Sequence, residues 1–177
     1  MRQPTLLTKR LTLRPYQQTD APRMQQLAGE RVIAATTLRI PHPYADGVAE
    51  EWIASALERT ASGNAYHFAM VLTETDQFLG SVGLTVQREW ERAELGYWIG
   101  VPYWGRGYTT EAAMEITRFG FEDLGLNRIY ASVFANNPAS ARVLEKAGLT
   151  YEGRHLQAIK KWDEFLDTLT YARVKQV

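Results

Sequence analysis

The sequence contains no cysteine and no excess of charge of either sign. Without cysteine the chain can form no disulfide, no thiolate metal site and no cysteine nucleophile. Its 20 Lys and Arg residues balance 20 Asp and Glu residues, which argues against a protein that binds nucleic acid through its overall charge. His42, His67 and His155 are far apart and match no metal-ligand spacing, so we expect no metal site and a structural or surface role for each.

The sequence also lacks a long apolar run, and residues 1–8 lack the apolar segment of a signal peptide. With 177 residues, 45% of them apolar, the chain has the size and composition of one globular domain. We therefore predict a single domain over residues 1–177 in the cytoplasm, with neither nucleic acid nor a membrane as a partner.

The spacing of apolar residues predicts an α+β fold. Three consecutive strand-like segments have short connections, so they should be antiparallel neighbours. The whole order predicts a mixed, mostly antiparallel central sheet with helices on both faces. The predicted elements are a strand at 11–14, helices at about 20–30 and 46–62, strands at 66–72, 78–86 and 93–99, a helix at 109–124, a strand at 128–133, a helix at 138–147, and a hairpin of strands 150–156 and 164–173 around a loop at 159–163.

The most informative stretch is the pair Gly105 and Gly107, between a predicted strand and a predicted helix. Glycine allows positive φ and leaves no Cβ in the way of a ligand. The start of a helix offers unpaired N–H groups to an anion, so the pair predicts a pocket for a phosphate or pyrophosphate. A dinucleotide-binding turn is disfavoured, because Thr110 breaks the GxGxxG pattern and antiparallel strands precede it.

Three stretches of the chain carry a family resemblance. They read RLTLRP at 10–15, AELGYWIGVPYWGRGYTTEA at 93–112 and NPASARVLEKAGL at 137–149. In this order they resemble the GNAT superfamily of N-acetyltransferases, and within it the RimJ/RimL-like branch of ribosomal-protein N-terminal acetyltransferases. The resemblance covers about residues 9–173. It implies the GNAT fold, acetyl-CoA as acetyl donor without a metal, an amine acceptor and, by analogy with the branch, a homodimer.

In that superfamily the glycine loop holds the pyrophosphate of acetyl-CoA with backbone N–H groups. The strand end before the loop, here Ile99 to Val101, pairs with the pantetheine arm as a sheet edge would. Trp104 and Thr109 depart from the pattern Gln/Arg-x-x-Gly-x-Gly/Ala, but the implied contacts are mostly backbone. Arg106 either adds charge beside a phosphate or is solvated, and Asn137 caps a helix as well as touching the coenzyme. The coenzyme-binding residues implied by the resemblance are Ile99, Val101, Trp104, Gly105, Arg106, Gly107, Tyr108, Thr109 and Asn137.

Acetyl transfer needs a neutral amine, and an α-amino group, with a pKa of ~7.7–8.0, requires only a modest base. Glu94 lies early on the strand before the glycine loop, where relatives often place a glutamate base, so we assign it as the catalytic base. The alternative to a catalytic role is that the Glu94 carboxylate is simply exposed on the strand, or forms an ion pair with Arg92 or Arg88. The oxyanion would meet a backbone N–H near Trp98 or Ile99.

The resemblance also bears on the general acid, the group that would donate to the sulfur of the departing coenzyme. Many superfamily members place a tyrosine acid at the position of Leu144, which cannot donate a proton. Ser140 stands where the RimJ/RimL-like branch has a serine, so it is the candidate catalytic donor to sulfur; otherwise it only satisfies a free N–H of its helix. The branch's glutamate before the last strand is Ile159 here, which increases the weight on Glu94.

The acceptor is predicted to be the N-terminal α-amine of a protein or peptide. The alternatives are a small amine (an aminoglycoside, a polyamine or an amino-acid-like amine) and a CoA-binding module without turnover. Aromatic side chains are expected around the amine pocket, although we expect Trp52 in the core. The candidates are Tyr44, Trp52, Trp90, Tyr97 and Trp162.

Overall fold

The computed structural model describes residues 3–175 of the chain. Its strands and helices follow the predicted order, with one additional short strand and one additional short helix. They are β1 (Leu6–Leu7), β2 (Leu11–Arg14), α1 (Ala21–Ala28), α2 (Arg31–Thr36), α3 (Val48–Ala61), β3 (Ala65–Leu72), β4 (Phe78–Gln87), β5 (Arg92–Ile99), α4 (Tyr108–Glu122), β6 (Arg128–Phe134), α5 (Pro138–Lys146), β7 (Thr150–Lys161) and β8 (Glu164–Val174).

All of these strands form one eight-stranded sheet in the order β1-β2-β3-β4-β5-β6-β8-β7. Every neighbouring pair is antiparallel except β5 and β6, which are parallel because helix α4 carries the chain back along the sheet. This topology confirms the predicted α+β class with a mostly antiparallel central sheet. None of the helices within residues 3–175 is both long enough and apolar enough to span a membrane.

Helices cover both faces of the sheet. On one face, the Trp52 ring of α3 packs edge-on against His67 of β3, with 5.3 Å between ring centroids. On the other face, Phe119 of α4 packs against Phe68 of β3, with centroids 5.8 Å apart. Because His67 and Phe68 are consecutive in a strand, their side chains point to opposite faces. The prediction of helices on both faces is confirmed, and we call these the α3 face and the α4 face.

Helix α5 has the predicted ends. The Oδ1 atom of Asn137 accepts a hydrogen bond of 3.2 Å from the backbone N–H of Ser140, and Pro138 occupies the first helical position. Gly148 follows the helix with a φ of +85°. These local signals place Ser140 in the first turn of a well-defined helix.

One predicted loop is wrong. The loop expected at 159–163 is a two-residue turn, because β7 extends to Lys161 and β8 begins at Glu164. A register shift between His155 and Ile159 interrupts the two-residue alternation of side chains. Most β7 side chains are also exposed, so no apolar pattern marks where the strand ends.

Val101 lies outside strand β5. The strand ends at Ile99, and Val101 begins a single turn of 3-10 helix, Val101–Tyr103, whose second residue is Pro102. Proline has no N–H for a strand ladder. Of the two residues expected to offer a strand edge to a pantetheine arm, only Ile99 therefore belongs to the strand.

Candidate active site

Strands β5 and β6 diverge, so part of β5 has no neighbouring strand on the side that faces β6. The two strands pair only where Arg92–Glu94 faces Arg128–Tyr130. Beyond Glu94, strand β5 remains paired with β4 on its other side as far as Ile99. The backbone from Leu95 to Ile99 therefore borders a gap, and we call this segment the free edge.

The alternation of the antiparallel ladder decides which N–H groups of the free edge point into the gap. The N–H of Gly100 donates to the carbonyl of Leu79 on β4 at 2.9 Å. Backbone groups of every second residue point the same way, so those of Trp98 point to β4 while those of Tyr97 and Ile99 point into the gap. Of the two N–H groups considered for an oxyanion, only that of Ile99 has this direction.

The glycine loop, residues 104–107, connects the strand end to helix α4 and presents free N–H groups. Gly105 and Gly107 have φ angles of +72° and +79°, the region that favours glycine. The first helical hydrogen bond runs from the Glu111 N–H to the Gly107 carbonyl at 3.1 Å. In the described part of the chain, the N–H groups from Gly105 to Thr109 have no protein acceptor. Free N–H groups at a helix start suit an anion, so this geometry is compatible with the predicted pyrophosphate contact, which stays a prediction.

Trp104 fastens the glycine loop to the end of β5. Its indole Nε1 donates to the carbonyl of Ile99 at 2.9 Å. Its backbone N–H donates to the carbonyl of Val101 at 3.1 Å, so this N–H is bonded within the protein, unlike those that follow it. The indole ring of Trp104 thus has a positioning contact that the sequence did not indicate.

Arg10 lies beside the glycine loop and neutralises a carboxylate near the helix start. Its guanidinium forms an ion pair of 2.8 Å with Glu111 and stacks 4.4 Å from the ring centroid of Tyr108. Burial alone would raise the pKa of Glu111, but hydrogen bonds from Thr8 and Arg10 outweigh it and lower the pKa below its usual value. The Glu111 charge is therefore compensated before an anion approaches.

A cavity of about 470 Å³ lies against the free edge and extends to the segment between α2 and α3. Glu94 lines it from the α3 face and Tyr97 from the α4 face, because the two residues are three apart in a strand. Among the residues that the structure describes, Glu94 and Arg39 are the only Asp, Glu, Lys or Arg side chains in this lining. Among residues 3–175, no three His, Asp or Glu side chains are grouped as a metal site would require.

Glu94 is half-buried and lines the cavity, and within residues 3–175 it forms neither of the ion pairs considered from the sequence. Arg92 instead donates to Gln87 at 2.5 Å, and Arg88 donates to the Tyr66 hydroxyl at 3.4 Å. Ile159 also lines the cavity, as an apolar side chain where the RimJ/RimL-like branch has a glutamate. The role of Glu94 as a base stays a prediction, and its placement is compatible with that role.

Ser140 meets Tyr97 across the gap. The Tyr97 hydroxyl oxygen lies 2.9 Å from Oγ of Ser140 and 3.0 Å from its carbonyl oxygen. Burial raises the pKa of the Tyr97 phenol well above its usual value, and the hydrogen bond with Ser140 opposes this only in part. Leu144, one helical turn beyond Ser140, is fully buried. The polar side chains that line the cavity beside the start of α5 therefore include Ser140, Tyr97 and Asn137.

His67 is a cavity residue that sequence reasoning assigned only to a structural or surface role. Its imidazole lies over Gly83 of β4, where a Cβ would come within 2.4 Å of its Nδ1 atom. Its Nε2 atom is buried and has no hydrogen-bond partner in the described residues. Burial, and then the charges of Arg59 and Arg39, lower the pKa of His67 to about 4, so the ring is neutral at pH 7.

Three of the five aromatic candidates line the cavity. They are Tyr44, Trp52 and Tyr97, and Trp52 also packs against the hydrophobic core as expected. Trp90 and Trp162 are exposed and lie outside the cavity wall. A single aromatic residue in a sequence carries no signal that separates these two outcomes.

The family to which the chain belongs follows from its similarity to known proteins. Residues 10–150 match the family described as acetyltransferase (GNAT) domain. The uncharacterized N-acetyltransferase p20 of Bacillus licheniformis is 30% identical over 174 residues, which cover 97% of each protein. The protein is thus an acyltransferase. The chain belongs to the GNAT family of acetyltransferases, and it is an acetyl-CoA-dependent N-acetyltransferase.

Two solved structures have the same fold. RimL, named ribosomal L7/L12 alpha-N-protein acetyltransferase and determined with coenzyme A, aligns with a TM-score of 0.89 and 16% identity over 97% of this chain and 98% of its own. A spermidine N-acetyltransferase SpeG chimera from Vibrio cholerae and hSSAT aligns with a TM-score of 0.78 and 19% identity, over 93% and 95% of the two chains. At such identities the likeness shows the fold alone.

Proposed function

We propose that this N-acetyltransferase moves the acetyl group of acetyl-CoA to the N-terminal α-amine of a protein or peptide, by direct attack in a ternary complex. The proposal is supported by the cavity that opens onto the free edge of β5, whose lining within residues 3–175 contains one carboxylate, that of Glu94. RimL, whose name specifies alpha-N-protein acetylation, supports a place in the RimJ/RimL-like branch through its fold.

The residues of the glycine loop and the free edge fit acetyl-CoA. The free N–H groups from Gly105 to Thr109 suit its pyrophosphate. The N–H and C=O groups of Tyr97 that point into the gap suit an amide of its pantetheine arm, and the Ile99 N–H beside them suits the thioester oxygen. Acetyl-CoA supplies the activated acetyl thioester, so the chain has only to bind and orient two substrates.

On the acceptor side, Glu94 accepts the proton of the amine, directly or through one water. An α-amino group titrates at ~7.7–8.0, against ~10.4 for a lysine, so it is partly neutral at pH 7 before any base acts. The Ile99 N–H stabilises the oxyanion of the tetrahedral intermediate, and Ser140 donates a hydrogen bond to the departing sulfur.

The charges in the cavity favour an acceptor with one amine over a polycation. A polyamine or an aminoglycoside carries several ammonium groups, and Glu94 is one carboxylate with Arg39 in the same lining. Arg39 supports a second candidate, a small amino-acid-like amine. It has no ion pair within the described residues, and a carboxylate of such an acceptor would supply one.

Thiol release from acetyl-CoA, measured with a panel of acceptors, tests the proposal. The panel contains short peptides with free N-termini, the same peptides with blocked N-termini, free amino acids, spermidine and an aminoglycoside. We expect turnover with free-N-terminal peptides that is lost on blocking. Turnover with amino acids alone would support the second candidate, and turnover with spermidine or the aminoglycoside would contradict the charge argument. Tight CoA binding without turnover on any acceptor would favour a binding module.

A further inference from the structure

The tyrosine hydroxyl nearest to helix α5 comes from strand β5. Tyr97 points to the α4 face three residues beyond the last pairing of β5 with β6, so its side chain crosses the gap to the first turn of α5. The position at which many superfamily members have a tyrosine is Leu144, and this residue is fully buried. A phenol thus reaches the helix from the opposite wall of the gap.

We infer that Tyr97 is a positioning residue: its hydroxyl donates to Oγ of Ser140 and so aims the Ser140 proton at the sulfur of the coenzyme. This inference rests on the proposed role of Ser140 as the donor to sulfur. A serine hydroxyl has one proton and two acceptor lone pairs. When Tyr97 donates to Oγ, across 2.9 Å, the Ser140 proton remains available and is polarised by the incoming bond.

The other arrangement of the same atoms gives a different chemistry. If Tyr97 donated to the Ser140 carbonyl, at 3.0 Å, the Ser140 hydroxyl would donate back to Tyr97 and have no proton for sulfur. The backbone of Ser140 is already held, because its N–H is bonded to Asn137. The phenol is buried and keeps its proton, so it acts as a hydrogen-bond donor and not as a base.

The transfer step balances without a further reactant. The C–N bond forms between the amine and the thioester carbon, the C–S bond breaks, and its electron pair goes to sulfur. Glu94 takes the amine proton, and water protonates the thiolate after it leaves. Ser140 and Tyr97 keep their own protons and stabilise the developing charge on sulfur through the hydrogen bond.

Coenzyme A is the probe that tests this inference without an acceptor, because its thiol reports on the donor directly. The pKa of the bound thiol is measured from thiolate absorbance for the wild type, Ser140→Ala, Tyr97→Phe and the double variant. A cysteine-like thiol titrates at ~8.5 when free, and we expect a lower value in the wild-type complex. Ser140→Ala should abolish this lowering. Tyr97→Phe should raise the pKa of the bound thiol above the wild-type value, which corresponds to a thiolate that is bound about threefold to tenfold more weakly.

The double variant separates action through Ser140 from an independent role. If Tyr97 acts only through Ser140, the double variant has the same bound-thiol pKa as Ser140→Ala. Tyr171→Phe is the matched control, because it removes a tyrosine hydroxyl that also faces α5, 3.4 Å from Glu145, and lies away from Ser140. It should match the wild type. With the most active peptide of the acceptor panel, Tyr97→Phe should lower kcat about threefold to tenfold and leave the KM of acetyl-CoA unchanged.

Several results would overturn the inference. A wild-type thiol pKa in Tyr97→Phe, or a double variant clearly worse than Ser140→Ala, would show that Tyr97 does not act through Ser140. A larger effect of Tyr97→Phe than of Ser140→Ala would make the phenol the direct donor. The expected pattern of thiol pKa values without turnover on any amine would instead leave the inference standing and reject the proposed acetyl transfer. Absence of CoA binding by the wild type would reject both.

Discussion

The Nη1 atom of Arg10 donates a hydrogen bond of 3.1 Å to the backbone carbonyl of Arg106, the residue between the two glycines. A trans peptide is planar, with its C=O and N–H pointing in opposite directions. The Arg106 carbonyl and the Gly107 N–H belong to the same peptide. Because the carbonyl points to Arg10, the N–H of Gly107 points away from Arg10 and joins the other free N–H groups of the loop. Arg10 thus holds the loop in its observed shape, although it lies 96 residues away in the sequence.

Replacing Arg10 should weaken acetyl-CoA binding without unfolding the protein. In Arg10→Gln the Arg106 carbonyl loses its partner and the Glu111 charge loses its compensation, so we expect the Kd of acetyl-CoA to rise about tenfold. The control is Arg118→Gln. It removes an arginine that forms an ion pair with Glu115 within α4, the helix that carries Glu111, but away from the glycine loop. Calorimetry should give the control a wild-type Kd. Equal affinities for both variants would contradict the positioning role of Arg10.

The two loop glycines should be needed for their backbone conformation and not for space. A Cβ on Gly105 would meet no atom within 4 Å, but its φ of +72° disfavours any other residue by about 1–2 kcal/mol. Gly125, after α4, has a φ of +68° and equally open surroundings. Gly105→Ala and Gly125→Ala should therefore lower the free energy of unfolding by similar amounts, measured by denaturant titration.

The two alanine variants should differ in ligand binding. Only Gly105→Ala changes the direction of the loop N–H groups, so only this variant should bind acetyl-CoA more weakly, by about tenfold. A Gly105→Ala protein with lower stability and unchanged affinity for acetyl-CoA would show that the glycine loop is not the pyrophosphate site.

The parts of the fold and site that could be predicted are those that local sequence determines. The caps of α5 follow from Asn137 and Gly148, and the loop shape follows from two residues that tolerate positive φ. The contact of Tyr97 with Ser140 could not be predicted, because it joins residues 43 apart that only the diverging strands bring together. The homodimer and the cytoplasmic location stay predictions from resemblance and composition.

Glu94 should be essential for proton transfer and dispensable for coenzyme binding. A positioned general base contributes about 10²- to 10⁴-fold to the rate, so Glu94→Gln should lower kcat at least about a hundredfold at pH 7 with an unchanged KM for acetyl-CoA. The loss should shrink as the pH rises through ~7.7–8.0, because the α-amine then becomes neutral without a base. Glu89→Gln, in the exposed turn before β5, should retain wild-type rates. A pH-independent loss in Glu94→Gln would contradict the assignment.

His67 should make the protein less stable in acid. Its pKa is lowered from 6.5 to about 4 in the folded state, so below pH 6.5 the unfolded chain binds more protons than the folded one. The neutral His67 ring therefore costs no stability above pH 6.5. As the pH falls from 6.5 to about 4, the free energy of unfolding decreases by an amount of order 3 kcal/mol, at ~1.4 kcal/mol per pKa unit.

The variant His67→Gln isolates this effect from other groups that titrate in acid. The pKa values of Glu111 and Asp167 are also lowered, so stability falls with acid in every variant and only the difference between curves is informative. We expect a shallower loss for His67→Gln between pH 6.5 and 4. The exposed His155→Gln variant should follow the wild type. Parallel curves for His67→Gln and the wild type would mean that the imidazole titrates normally.

We expect the glycine loop and the free edge of β5 to form one binding site for acetyl-CoA. Calorimetric titration of the purified protein with acetyl-CoA tests it most directly, with the Gly105→Ala and Gly125→Ala proteins measured in parallel. The binding should be saturable at one site per chain, weakened about tenfold in Gly105→Ala and unchanged in Gly125→Ala. No heat of binding and no thermal stabilisation of the wild type by acetyl-CoA would contradict it.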